Sequence, residues 1–374
     1  MSTRILVLGQ GQLGLMLAEA GVRLGLVVDR LDPDGERLLP GSSDLELEVT
    51  AEGLLQRYSV ITAEREQLPD TPLMRALLGS DRFVNNPAFE LLPDRLEQKR
   101  LLDRLEVPTS PWGACDSEAD LDAVRRSAGA DLRVKLRRGG YDGRGQWHLR
   151  DGEGLPELPG PAIAEASQTF RRELSLVGAR TANGKTVFYP LVENIHREGM
   201  LRLTLAPAAR AEKLQARAED WLERIMTELD YSGVMAMELF DTGSQLLVNE
   251  LAPRVHNSGH WTQEGASLCQ FELHLRALCG LPCPRPCLRG VSAMVNLVGD
   301  PLDPAWLEIP DTRLHWYGKD VRPGRKLGHL NVMASDHRQL RARLLALRGV
   351  PGLLIPEQDD PGPSALGERP QRQA

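Results

Sequence analysis

Hydrophobic positions in the first quarter of the chain fall into short apolar runs, each closed by glycine or polar residues. Arg4-Ile5-Leu6-Val7-Leu8 predicts a buried strand; Gly9 to Gly14 follows as a turn, and helical spacing then runs through Leu24. Gly25 to Asp29 predicts a second strand, and strand–helix–strand order calls for a parallel sheet with helices packed on it. Ser59 to Thr62 and Phe83 to Asn85 are expected to add short strands to that sheet, the latter closing near Pro87.

Farther on, Asp94 to Leu105 is helical and heavily charged, and ends at Val107-Pro108. Leu132 to Leu136 and Gln146 to Leu149 read as strands joined by a glycine- and arginine-rich turn. Asp151 to Pro161 is a loop; Ala162–Glu165, Glu173–Ala179 and Thr186–Leu191 are strand-like. A long helix is expected from about Ala211 to Leu229. Its stripe of Leu214, Ala218, Trp221, Leu222, Ile225, Met226 and Leu229 has helical spacing and reads as core, not as a cofactor box. Strands follow at Gly233–Phe240 and Gln245–Leu251, then a helix over Leu268–Leu278. Short apolar runs from Val291 to about Leu354 predict a small β-rich unit, and the Pro-, Gly- and Gln-rich tail from Glu357 is expected to be disordered.

At 374 residues the chain is too long for one core and suits two or three domains. A net charge of −7 argues against nucleic acid as the main partner, since a duplex-binding surface needs a basic excess. No apolar run approaches the roughly eighteen residues of a membrane span, and Gln10 and Gln12 interrupt the only segment resembling a signal peptide. Four of the five cysteines fall late, and Cys279, Cys283 and Cys287 recur every four residues. Pro282, Pro284 and Pro286 interleave them without a fourth ligand at a zinc spacing, so reduced thiols in a cytoplasmic protein are expected instead.

Five segments carry chemistry. Gly9-x-Gly11-x-x-Gly14, between strand and helix, frees backbone N–H groups to meet an anion. It fits a dinucleotide fold, with Asp29 or Asp32 placed for a ribose, and equally an anion site without nicotinamide. Arg137 to Gln146 concentrates four glycines and three arginines at one hairpin tip, a cradle for phosphate that Lys135 would reach from the preceding strand.

Glu238 and Glu250 each sit in an otherwise apolar strand, where a carboxylate is costly unless something neutralises it. Side chains alternate along a strand, so the connecting turn decides whether the two share a face. A four-residue loop would set them apart; a three-residue loop, Thr242-Gly243-Ser244, would bring them together and, with Asn249 nearby, suit magnesium. Directly after them Arg254, His256 and Asn257 read as an active-site loop in which arginine holds an anion and the other two orient it. Finally, His315 to Lys326 gathers cations that would serve a substrate phosphate.

The stretches Gly139 to Gln146 and Asn249 to Thr262, with the Gly9–Gly14 turn and Arg322 to His329, closely resemble the N5-carboxyaminoimidazole ribonucleotide synthetase family of ATP-grasp enzymes. The resemblance implies an α/β (α+β) ATP-grasp fold. It places a Rossmann-like domain over 1–87, an ATP-grasp domain over 88–290 with a lid over about 107–168, and a β-rich domain over 291–356. A tail over 357–374 would follow. It also implies carboxylation of aminoimidazole ribonucleotide by bicarbonate and MgATP, through carboxyphosphate. Arg95, Lys135, Gly140, Tyr141, Asp142, Gly143, Arg144, Gly145, Gln146, Glu165, Ala166, Ser167, Gln168, Glu173, His196, Asn249 and Glu250 would line the ATP site, with Glu238 and Glu250 on magnesium. Arg254, His256, Asn257, Asp142 and Lys319 would be catalytic, the first three handling bicarbonate. Gly11, Gln12, Leu13, Glu64, Asp142, Arg144, Lys319, Arg325 and Lys326 would contact the ribonucleotide. Relatives of this kind imply a homodimer, while the charge and the lack of a long apolar run leave no nucleic-acid or membrane partner expected. The competing readings are an NAD-dependent dehydrogenase, a ligase for another acid or amine, and an ATP-binding regulator without turnover.

Overall fold

The structure, a computed structural model, describes residues 3–140, 145–347, 349–350, 352–353, 355 and 371–372. Tyr141 to Arg144 and nearly all of the 357–374 tail lie outside the described residues.

Ile5, Leu6, Val7 and Leu8 are all fully buried, as a continuous apolar run in a parallel strand requires. The Arg4–Leu8 strand lies between Val27–Asp32 and Val60–Ala63, parallel to both. An antiparallel extension by Arg37–Leu39 and Leu47–Glu48 completes this five-stranded sheet. These two antiparallel strands are short and each carries a charged residue, which hid them from the hydrophobic pattern. The expected strand at Phe83–Asn85 is not one: Phe83 makes a single bridge to Ile61, and Asn85 takes φ +79° before the helix Asn86–Leu91. Pro87, in the first turn of that helix, starts it instead of closing a strand. Asn85 also exchanges two 2.6 Å hydrogen bonds with the backbone of Ser232, tying this corner to the central sheet.

The central sheet has nine strands. Leu246–Ala252, Gly233–Asp241, Arg172–Arg180, Val192–Arg197, Met200–Ala206, Val291–Val298, Lys326–Ala334 and Thr312–Trp316 lie side by side, and Thr186–Phe188 pairs separately with Arg172–Arg180. Alternation sorts its faces. Leu174, Leu176, Met235, Met237 and Leu239 pack with the helices Arg95–Arg104 and Glu212–Glu228. Val177, Ala179, Val234 and Ala236 pack with helix Gln270–Leu278 and with helix Gln12–Arg23 of the N-terminal unit. The β-rich C-terminal segment is no separate sheet: Val291–Val298 pairs directly with Met200–Ala206, so its strands continue the central one.

A smaller antiparallel sheet, ordered Trp112–Ala114, Ala162–Ala166, Leu132–Leu136, Gln146–Leu149, packs against helix Glu118–Ala128 through Leu121, Val124, Leu132, Val134 and Ala164. Among the described residues no helix is long and apolar enough to cross a membrane.

Candidate functional site

Glu238 and Glu250 stand directly opposite each other, but not by the route the turn suggested. Asp241 pairs with Leu246 across a four-residue loop, Phe240 with Leu247 and Leu239 with Val248; the register then shifts, and Glu238 pairs with Glu250. Asn249 is the extra residue of a β-bulge. Without it Glu238 would face Asn249, and Glu250 would turn to the other side of the sheet; bulges re-aim side chains in this way beside functional sites. The three-residue loop is therefore wrong and the shared face right. Burial and the neighbouring Glu250 push the Glu238 carboxyl up to about 7, against the pull of His196. Two carboxylates in this state fit a divalent cation that draws its remaining ligands from elsewhere. Among the described residues no group of three or more His, Cys, Asp or Glu is placed to hold a metal ion.

On one side of this pair lies a buried ion cluster. Glu165, 1% exposed, accepts from Lys135 and lies 2.8 Å from Lys99; burial raises its pKa, yet the two lysines hold it down at about 2. Lys135 Nζ also sits 3.4 Å from Asn249 Oδ1, which ties the small sheet to the bulge. Arg95 donates to the carbonyls of Leu136 (2.8 Å), Gly139 (2.7 Å) and Gly140 (3.3 Å), so its guanidinium shapes the glycine turn. Gly139 (φ +74°) and Gly140 (φ +77°) hold the left-handed conformation this turn needs. Gly145 and Gln146 return the chain to Leu136 and Lys135. Ala166, Ser167 and Gln168 leave the Ala162–Ala166 strand, Ser167 bonding through its N–H to Asp131 O at 2.9 Å and Gln168 to Ala166 O at 3.3 Å.

On the same face as the carboxylates, His196 Nδ1 meets Glu173 at 2.9 Å. Burial lowers the His196 pKa and Glu173 raises it, with a net rise. His256 Nε2 lies 3.4 Å from Glu238, and burial, then Arg254, push its pKa well below the ordinary histidine value. Arg254 is held 2.9 Å from Glu66 of the N-terminal unit. Asn257 exchanges two hydrogen bonds, of 3.1 and 2.7 Å, with the buried Asn296.

The Gly9–Gly14 turn is an anion site whose occupant here is the protein's own Glu64. The carboxylate accepts from the N–H groups of Gly11 (2.5 Å) and Gly14, and a Cβ on Gly9 would collide with Glu64 Cγ. Burial raises the Glu64 pKa, opposed by those two amides and by Arg254 and Lys319. Lys319 donates to Gln12 at 2.5 Å, next to Leu13 in the same helical turn. Arg325 is half-held by Asp320, through its carbonyl at 3.2 Å and its carboxylate at 3.7 Å. The charge of Lys326 acts on Glu238, His256 and Lys319 alike, so the C-terminal cations reach both the carboxylate pair and the glycine turn.

Two family descriptions match this chain: the ATP-grasp domain over residues 100–271 and the phosphoribosylaminoimidazole carboxylase C-terminal domain over 292–343. The N5-carboxyaminoimidazole ribonucleotide synthase of Escherichia coli is 50% identical over 358 residues, covering 95% of this chain and 96% of that one. The chain belongs to this family. The synthetase structure from Thermus thermophilus superposes with TM-score 0.85 at 42% identity, covering 94% of this chain and all of that one. A synthase structure from Aspergillus clavatus, in complex with ADP and 5-aminoimidazole ribonucleotide, does so at 0.81 and 27%, covering 93% and 98%. The α/β ATP-grasp fold expected for the family is the one observed.

Several residues in this site carried no motif. Lys99 lies four positions after Arg95 and so on one helix face with it, the one signal that pointed to it. Glu66, Ser175, Asn194 and Asn296 are isolated polar positions whose partners are distant in sequence.

Proposed function

We propose that this member of the synthase family joins bicarbonate to the exocyclic amine of 5-aminoimidazole ribonucleotide with MgATP. The products would be N5-carboxyaminoimidazole ribonucleotide, ADP and phosphate, in de novo purine biosynthesis. The observation that carries this reading is the bulge-aligned Glu238–Glu250 pair, on one sheet face with His196 and His256 and joined through Asn249 to Lys135.

Lys135, with the turn that Arg95 shapes, would hold the nucleotide phosphates, and Glu165 and Asn249 orient that lysine. Glu238 and Glu250 would hold magnesium, which when bound offsets the charge of phosphates during transfer. Bicarbonate is a poor electrophile. A bicarbonate oxygen attacks the γ-phosphorus, the bond to ADP breaks, and the carboxyphosphate formed has a leaving group. Arg254 and Asn257, held by Glu66 and Asn296, would fix that anion. The amine then forms the C–N bond as the C–O bond to phosphate breaks, and the departing phosphate can take the amine proton. Lys319, Arg325 and Lys326 would grip the ribonucleotide phosphate near Gln12 and Leu13, with Glu64 as an acceptor beside it.

The reading extends to a cytoplasmic homodimer; the five cysteines are all free, which suits a reducing compartment. Turnover with 18O-labelled bicarbonate tests the chemical route. One bicarbonate-derived oxygen in the released phosphate supports carboxyphosphate; unlabelled phosphate rules it out.

A further inference from the structure

Beneath the loop that carries His256 runs a chain of hydrogen bonds among polar side chains buried in the central sheet. Thr204 and Ser175 are fully buried, Ser258 likewise, and Asn194 is 5% exposed. Thr204 Oγ1 donates to Asn194 Oδ1 at 2.9 Å, Asn194 Nδ2 donates to Ser175 Oγ at 2.9 Å, and Ser175 Oγ donates to Ser258 Oγ at 2.8 Å. Ser258 has a single hydroxyl proton, and its oxygen already accepts. That proton goes to His256 Nδ1, 2.9 Å away.

Such a chain of hydroxyls and an amide could in principle run in reverse. One contact prevents it: the Ser258 backbone N–H also points at His256 Nδ1, at 3.3 Å, and a backbone N–H only donates. Two donors converge on Nδ1, so Nδ1 carries no proton and the ring is neutral with its proton on Nε2. That nitrogen faces the carboxylate pair, 3.4 Å from Glu238 Oε1. Ser175 is also the cross-strand partner of Glu238, so the same strand pairing that sets the carboxylate sets a link of the path to the imidazole.

We propose that the buried path Thr204–Asn194–Ser175–Ser258 locks His256 as an Nε2–H donor to an oxygen of bicarbonate or carboxyphosphate, and so bars it from acting as a base. The proposal rests on the assignment of His256 to that anion. Ser258, Ser175 and Asn194 are positioning residues on this account, acting through the ring without touching substrate. A bicarbonate anion is already a nucleophile and needs no base; it needs orientation, which a fixed donor supplies.

The test uses full-length protein labelled with 15N-histidine, the His256 ring being assigned by its absence in His256→Gln. At neutral pH Nδ1 should give an unprotonated resonance and Nε2 a protonated one, and Ser258→Ala, which keeps the backbone donor but loses the hydroxyl, should shift the Nδ1 resonance while leaving the tautomer in place. In steady-state kinetics Ser258→Ala and Ser175→Ala should lower kcat/KM for bicarbonate about tenfold, as for one lost hydrogen bond, with KM for ATP unchanged. His256→Gln, whose amide N–H replaces Nε2, should retain more activity than His256→Asn, whose amide replaces Nδ1. A protonated Nδ1 or an even mixture of tautomers in the wild type overturns the locked ring. The expected tautomer with unchanged bicarbonate kinetics in Ser258→Ala instead overturns the assignment of His256 to the anion.

Discussion

Replacing Lys99 with methionine tests how the nucleotide side of the site is held together. Glu165 is 1% exposed and pairs with two lysines that are themselves buried. Burial alone would push its carboxyl above the ordinary 4.5; Lys135 and Lys99 reverse that and bring it to about 2, equivalent to at most about 3 kcal/mol of folding stability, because the same burial lowers the Lys99 pKa and offsets part of the gain. Because the folded pKa lies below the unfolded one, this contribution is complete above about pH 4.5 and is lost as pH falls towards 2. Lys99→Met removes one of the two cations and the donor that Thr109 Oγ1 receives. Taking half of the net contribution plus that hydrogen bond, the variant should lose about 2–3 kcal/mol at pH 7. Its acid transition should also begin at higher pH. Urea titrations from pH 3 to pH 8 would measure both. Equal stability at pH 7 together with an unmoved acid transition would refute the reasoning.

Four further outcomes follow from the same geometry. In EDTA the wild type should be more stable at pH 5 than at pH 8. The raised Glu238 pKa makes its contribution complete below 4.5 and lost as pH rises through about 7; with the side chain 22% exposed this amounts to about 1–2 kcal/mol. Equal stability at the two pH values, measured by urea titration, would remove that contribution. Magnesium should raise the melting temperature of the wild type at pH 8 and not that of Glu250→Gln; identical shifts in both would count against the pair as its ligands. Asn296→Leu should raise KM for bicarbonate about tenfold through the loss of the Asn257 pairing, with ATP affinity kept; unchanged bicarbonate kinetics would remove Asn296 from the site. Glu64→Gln would set an NH2 group against one of two backbone donors, lowering the melting temperature and raising KM for the ribonucleotide; an unaltered KM would show that Glu64 stays out of the substrate's way.

Long apolar runs and strong helical stripes were legible in the sequence because their signal is local. Ile5 to Leu8 and the Trp221–Ile225–Met226 stripe needed no partner to be recognised. The short strands Arg37–Leu39 and Leu47–Glu48 were not legible, since their pairing comes from neighbours and not from pattern. The Glu238–Glu250 pair shows the boundary between these cases. Burial logic marked both carboxylates as unusual, but a loop-length argument cannot see a bulge, and the bulge at Asn249 is what aligns them. Similarly, the glycine turn announced an anion site without revealing that Glu64 would sit in it. Buried polar partners such as Asn296, Ser175 and Lys99 depend on contacts far apart in the chain, and single positions of this kind carry almost no signal.

The central claim is that one face of the central sheet couples ATP cleavage to carboxylation of a particular amine. ADP release should be measured with MgATP, bicarbonate and 5-aminoimidazole ribonucleotide, each omitted in turn, in the wild type and in Glu250→Gln. Release that needs the ribonucleotide and magnesium, and disappears in the variant, is the predicted result. Release that ignores the ribonucleotide, or that survives the loss of Glu250, would contradict it.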